Sequence, residues 1–319
     1  MSSGKVSNSV LKRSVLKQIK KRNDKVQKPA IGVDCGIIDV EDTSKRIVVS
    51  QSCGRLPVYR AVNNIYANGG IPEAVECCVI MPEELDEQEL KKVMKELDDQ
   101  CEVAGVQIAG GHTQISEAVK KPIITVAGIG YSNTDIPVSA RNMKAGQNIV
   151  MTKWIGIGGI RAVIEKHRDS ILDKYSEDVI DKAYGAVSDM LIDKEAAIAL
   201  QMGVESMHDV SEGGIYAALW DMSEAGKAGL DVDFRKIAVR QEIIEICELL
   251  DINPYELESD GCLLMTVSPG CDIIDKLQAA GIKACIIGKV TDNNDKIIRN
   301  LDEVRYLDTP KRDEIYRFM

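Results

Sequence analysis

The run Ala109-Gly110-Gly111-His112-Thr113 follows a short apolar stretch, Val106 to Ala109, and holds the residue types a ligand turn needs. Two glycines let the backbone approach a bound group closely. His112 and Thr113 then offer an imidazole and a hydroxyl at the end of an expected buried strand. Three more such places stand in order: Gly32-Val33-Asp34-Cys35-Gly36, Trp154-Ile155-Gly156-Ile157-Gly158-Gly159, and Met207-His208-Asp209-Val210-Ser211-Glu212-Gly213-Gly214. All four read as polar or glycine-rich turns at strand ends, where α/β proteins build ligand sites.

In the last two, a strand is expected to lead through glycines straight into a helix. That geometry aims unpaired N–H groups and the positive helix end at one spot, which suits phosphate. Gly156, Gly158, Gly159, Ser211, Gly213 and Gly214 are therefore phosphate-binding candidates. Asp34 is the best single ligand for magnesium, an ion that prefers hard carboxylate oxygens; an Asx-turn hydrogen bond is the other role open to it. Asn63 and Asn64, ahead of the Asn68-Gly69-Gly70 stop, add polar groups for a nucleotide.

The elements that must hold these residues read as α/β. Apolar β-type runs fall at 30–38, 46–50, 74–81, 106–109, 122–130 and 147–151. Val58, Ala61, Val62 and Ile65 predict a helix over 57–69. Asp86 and Glu89 form a capping box for a helix whose apolar face is Leu90, Val93, Met94, Leu97 and Cys101. The second half restarts with a helix from Gly159 and a long helix over 176–201, capped by Ser176 with Glu177 and Asp178 in its first turn. A strand at 204–207, a helix at 213–225, helices near 240–250 and 271–280, and strands near 262–267 and 284–290 complete the pattern. The domains expected are a basic arm (1–30), an α/β domain (31–146) and a second α/β domain (147–319).

With 319 residues the chain fits two cores, and its 45% apolar and 28% charged residues are those of a water-soluble globular protein. Aromatics at 4% are too few for a single-stranded nucleic-acid platform. No apolar run reaches the ~20 residues that span a bilayer, and an apolar signal core is lacking, so a cytoplasmic protein without membrane or nucleic-acid partners is expected. The nine cysteines include no C-x-x-C pair; Cys77, Cys78, Cys262 and Cys285 sit in apolar runs and read as buried, reduced residues, while Cys35 and Cys53 lie beside candidate site residues. Net charge is −10, yet nine of the 40 Lys/Arg lie in the first 30 residues with a single acid, Asp24. Leu11, Val15 and Ile19 put an apolar stripe on that basic segment, which either docks on the acidic body or forms a cationic lid over phosphates.

The order of motifs resembles the superfamily joining aminoimidazole ribonucleotide (AIR) synthase, selenophosphate synthetase, thiamine-monophosphate kinase and the hydrogenase maturation carbamoyl dehydratase. The likeness runs from Gly4 to about Val290 and is most specific in GGHT, in the 208–214 turn with its Ala218-Leu219-Trp220 helix, and in Ile246 to Leu250 leading to Asn253-Pro254. It is greatest for AIR-synthase-related proteins grouped with the hydrogenase maturation factor. The resemblance implies a two-domain α/β (α+β) fold, the first domain forming a shared β-barrel in a homodimer and the second carrying phosphate turns. It also implies ATP with magnesium, a small-molecule substrate whose carbonyl or carbamoyl oxygen is activated by phosphorylation, and hydrogenase maturation partners. Asp34 falls on the family's metal aspartate, and Asn63 on the asparagine of its Asn-Asp pair. His112 and Thr113, beside Gly110 and Gly111, fall on the nucleotide-site turn, and Asp209 on the aspartate of the C-terminal turn. His112 and Asp209 are thus the catalytic candidates.

Three departures stand out. Gln51 and Asn64 occupy positions where relatives carry aspartate, and neutral amides hold Mg²⁺ far less strongly. The maturation factor ends in a carbamoyl-accepting cysteine, whereas this sequence ends Tyr316-Arg317-Phe318-Met319. The amides motivate an alternative, a dimeric nucleotide- or phosphate-binding protein without turnover; a small-molecule kinase of the thiamine-monophosphate type is a further one.

Overall fold

The computed structural model describes residues 8–18, 24–27, 29–33, 35–40, 45–185 and 187–318. Asp34 and Ile19, both singled out above, lie outside the described residues. Two compact units result: Asp34–Pro137 with Lys21–Lys28, and Val138–Met319 with Met1–Lys20 and Pro29–Val33.

The basic segment is not one regular helix. It is a short α1 (Asn8–Val10), a π turn (Leu11–Val15) and a 3₁₀ turn (Leu16–Gln18). Leu11 is half-buried and Val15 is exposed, so the expected stripe is only partly used. It docks within its own unit: Asn8 Nδ2 donates to Asp221 Oδ1 at 2.9 Å, and Lys12 Nζ lies 2.9 Å from Glu224.

The first unit holds β1 (Cys35–Asp39), β2 (Arg46–Cys53), α2 (Pro57–Ala67), β3 (Ile71–Met81), α3 (Glu87–Ala104), β4 (Gln107–Ile115) and β5 (Ile123–Ser132). The strand order is β1-β2-β5-β3-β4, an open sheet with β3 and β4 parallel and the other pairs antiparallel. Helix α3 starts where the capping box places it, with the Asp86 carboxylate accepting the Gln88 and Glu89 N–H groups. Helix α2 covers one sheet face. Val48, Ser50, Ser52, Val75, Cys77, Val79 and Val126 are buried there, and the Ser50 hydroxyl donates to the Ala61 carbonyl at 2.7 Å. Cys35 joins this core with Val48 and Ile65, so it is a packed residue rather than a site thiol. Cys77 and Cys262 are buried as expected, whereas Cys78 and Cys285 are only half-buried.

The second unit holds β6 (Asn148–Thr152), α4 (Ile157–Leu172), α5 (Glu177–Tyr184), α6 (Asp193–Gln201), β7 (Ser206–Val210), α7 (Gly214–Gly226), β8 (Gly229–Asp233), α8 (Gln241–Leu249), β9 (Cys262–Val267), α9 (Ile273–Ala279), β10 (Ala284–Thr291), β11 (Lys296–Asn300) and β12 (Glu303–Tyr306). Its seven strands run β12-β11-β8-β10-β6-β9-β7. Every residue of β9 is buried, as an apolar run in a sheet interior requires. Ile149, Met151, Val210, Leu219, Met222 and Leu264 belong to one core, and Ile160, Ile164, Ile180, Ile246 and Ile315 to another.

The long helix expected over 176–201 is broken. α5 ends at Gly185 (φ 63°), a 3₁₀ turn follows (Val187–Met190), and α6 begins at Asp193. Lys153 draws the break inward: its ammonium donates to the Asp189 carbonyl at 3.1 Å and to Leu191 O, and pairs with Glu195 at 2.9 Å. Burial raises the Glu195 pKa against the lowering pull of Lys153.

Candidate functional site

In the first unit, the GGHT run is not a turn at a strand end. It lies inside β4, an edge strand exposed along nearly its whole length, which is why its sequence shows no buried-strand pattern. The glycines have a pairing role. Val75 pairs with Ile108 but Glu76 pairs with Gly110, so Ala109 is the extra residue of a bulge. A Cβ on Gly111 would stand 2.0 Å from the Cys77 carbonyl oxygen, whereas one on Gly110 would meet nothing closer than 3.9 Å.

The register carries candidate groups onto the face away from α2. Gln51, Ala127, Glu76 and Gly110 are successive partners across β2, β5, β3 and β4; Cys53, Thr125, Cys78 and His112 form the adjacent row. Gln51, Glu76, Cys78, Thr125 and His112 line a shallow cavity of about 370 Å³. His112 Nε2 lies 3.2 Å from Gln114 Oε1, and strand alternation sends Thr113 to the opposite face. Asn63 is buried and Asn64 half-buried on α2, so neither joins Gln51 on the outer face. Among the described residues, no group of three or more His, Cys, Asp or Glu side chains is placed to hold a metal ion.

In the second unit, β6 and β7 both run antiparallel to β9 between them. Their C-terminal ends therefore share one sheet edge with the start of β9, and both glycine turns lie there. Gly156 and Gly213 cap α4 and α7 with φ 77° and 85°. Several N–H groups that the sequence offers to phosphate are satisfied within the protein. Gly156 N–H donates to Ser259 Oγ at 2.7 Å, Gly159 N–H to the Glu258 carbonyl at 2.9 Å, and Gly214 N–H to the Ser211 carbonyl at 3.1 Å. Gly213 N–H donates to Asp313 Oδ2 at 2.6 Å. Gly158 abuts Asp260, since a Cβ there would meet its Oδ2 at 2.3 Å.

Asp209 is the fourth residue of the buried strand β7 and only 3% exposed, not a turn residue. The preceding His208 is buried too, its Nδ1 2.5 Å from the Asp209 carbonyl. Asp313, Glu258 and Ser259, which close the two turns, carry no local motif; only the fold brings them there. Burial, then the Glu258 carboxylate, push the Asp313 carboxyl up to about 7, against the Ile315 and Gly213 N–H groups it accepts.

An open sheet backed by a helix and a second unit with paired strand–glycine–helix turns define a two-domain α/β protein. The chain belongs to the AIR synthase related family: residues 25–132 match its N-terminal domain and residues 144–299 its C-terminal domain. A putative hydrogenase expression/formation protein of Methanocaldococcus jannaschii is 28% identical over 269 residues, covering 83% of this chain and 78% of the relative. The carbamoyl dehydratase HypE of Escherichia coli is 27% identical over 272 residues, with the same two coverages. The structure of a hydrogenase maturation protein HypE in complex with ATP superposes with a TM-score of 0.70 at 19% identity, covering 98% of this chain and 97% of that one, a likeness of fold. No helix among the described residues is long and apolar enough to cross a membrane.

Proposed function

We propose that the chain is an ATP-dependent enzyme of the AIR synthase/hydrogenase maturation type, activating a carbonyl or carbamoyl oxygen by phosphorylation. The observation that carries the reading is the run of both family domains in order over most of the chain, with relatives named as hydrogenase maturation proteins and a carbamoyl dehydratase. ATP supplies the phosphoryl group. His112, on the open sheet face, positions or exchanges a proton on the oxygen that accepts it, with Thr113, Gly110 and Gly111 in the same strand. Backbone N–H groups stabilise phosphoryl charge without a covalent nucleophile. The glycine turns serve that role through whichever N–H groups their internal acceptors release. Asp209 acts through the turn that follows it. Magnesium would enter with the phosphates, and Asp34 is the carboxylate that would hold it on the protein side; Mg²⁺ needs few protein ligands when phosphates supply oxygens.

We also infer a homodimer and hydrogenase maturation partners. The outer edge of β4 pairs with no strand among the described residues, and Ile115 on it is 64% exposed, the kind of edge a second copy covers. Closing two such sheets gives the shared barrel. The test is phosphate release from ATP by the full chain with a carbamoylated thiol peptide, comparing wild type with His112→Ala. Peptide-dependent release that falls about a hundredfold in the variant supports the reading; release that ignores both peptide and substitution contradicts it.

The two amides favour a second reading, a nucleotide-binding protein without turnover. If that is correct, Gln51→Asp on the outer sheet face strengthens Mg-ATP binding greatly while wild type releases no phosphate.

A further inference from the structure

Beside Gly213 the second unit encloses a cavity of about 400 Å³, within the size range of small-molecule sites. Aromatic rings form much of its lining. Tyr216 and Tyr255 stack with centroids 5.5 Å apart and 16° between planes, and Phe234 lies 4.6 Å from Tyr255. Further lining comes from segment 305–311, including Arg305, Thr309 and Lys311. That segment is held at both ends. β12 pairs with β11, Leu307 N–H donates to the Lys296 carbonyl at 2.7 Å, and Asp313 anchors the following residues on Gly213. The cavity is thus a built feature of the fold.

The charges around it choose the ligand. Lys311 stands 3.8 Å from Glu256 and 3.6 Å from Asp308, and with Arg305 the lining side chains carry two positive against two negative charges, so the cavity has no net negative charge to select a cation. Among the described residues, the ion pair of Arg305 is a loose one, 3.5 Å to Glu303, with both side chains more than half exposed. Such a surface pair holds a guanidinium weakly, and its planar fork suits a carboxylate or phosphate. We propose that this cavity binds a planar aromatic molecule carrying an oxyanion, its ring against Tyr216 and Tyr255 and its oxyanion on Arg305. Burial pushes the Tyr216 hydroxyl up to about 12, so at neutral pH the phenol remains a proton donor beside the same charge. The site lies wholly within the second unit; it shares Gly213 with the phosphate turn proposed above, but Arg305, Tyr216 and Tyr255 take no part in that chemistry.

The test is calorimetric titration of the full chain with quinoline-2-carboxylate and with uncharged quinoline. Wild type should bind the carboxylate saturably and about tenfold more tightly than quinoline, the scale of one charge-assisted hydrogen-bonded pair. Arg305→Gln, at an exposed position that leaves the core intact, should erase that preference while quinoline binding persists. Tyr255→Leu should weaken both probes about threefold or more, the scale of one lost ring contact. No saturable binding of either probe at about 5 mM, a concentration reaching even weak sites, overturns the proposal. So does a carboxylate preference that survives in Arg305→Gln.

Discussion

Asp313 Oδ2 accepts the N–H of Gly213 at 2.6 Å, across a hundred positions of sequence, and so closes the N-terminus of α7 with the protein's own carboxyl group. The same side chain takes the Ile315 N–H at 2.8 Å, and Ile315 is buried against α4, α5 and α8. Closure of this turn and docking of the C-terminal segment are therefore one structural event.

Its pH dependence has a definite sign. The folded-state pKa of Asp313 stands at about 7, above the ordinary 3.8, so the folded form binds the proton more tightly. Stability from this group is fully present below pH ~4 and is lost as pH rises through ~7, an effect on the order of a few kcal/mol. Asp313→Asn cannot titrate and leaves one N–H facing an amide donor. The stability gap between wild type and Asp313→Asn, from urea unfolding, should shrink as pH rises from 5 to 8. A gap that is constant or widens contradicts the assignment.

Gly111 and Gly110 separate a pairing role from a ligand role. Gly111→Ala forces a Cβ onto the Cys77 carbonyl and should cost about 2 kcal/mol or more, whereas Gly110→Ala should cost under about 1 kcal/mol. Thermal melts of both variants decide the matter. Equal melting temperatures would show that β3 and β4 do not pair as described.

The exposed edge makes a prediction about assembly. Ile115→Lys places a charge on the outer strand without touching the core and should weaken self-association about tenfold or more, as sedimentation velocity would show. A dimer of unchanged strength would place the interface elsewhere.

Much of the architecture was legible because local signals agreed with the fold. Helical spacing at Val58, Ala61, Val62 and Ile65 marked α2, Asp86 marked the start of α3, and the apolar run 262–267 coincides with β9. The misreadings arose where distant groups decide. Ser176 holds the N-cap position of α5, as expected, but without a capping side-chain hydrogen bond, and the helix expected to run on to 201 breaks after Tyr184, ahead of the Asp189 and Leu191 carbonyls that the Lys153 ammonium binds from more than thirty residues away. GGHT looked like a turn because an edge strand with a bulge shows neither alternation nor a continuous apolar run. β8, β11 and β12 leave no mark in the sequence pattern, because short strands of mixed polarity carry little periodic signal. The glycines of both C-terminal turns were found by motif, but Ser259, Glu258 and Asp313, which accept or face their N–H groups, have no signature that a linear reading detects.

Calorimetric titration of ATP into the full chain, with and without magnesium, tests the central claim most directly. The proposed function predicts saturable binding that requires magnesium, despite the amides Gln51 and Asn64 at positions where relatives carry aspartate. No binding at millimolar ATP with magnesium present would contradict it.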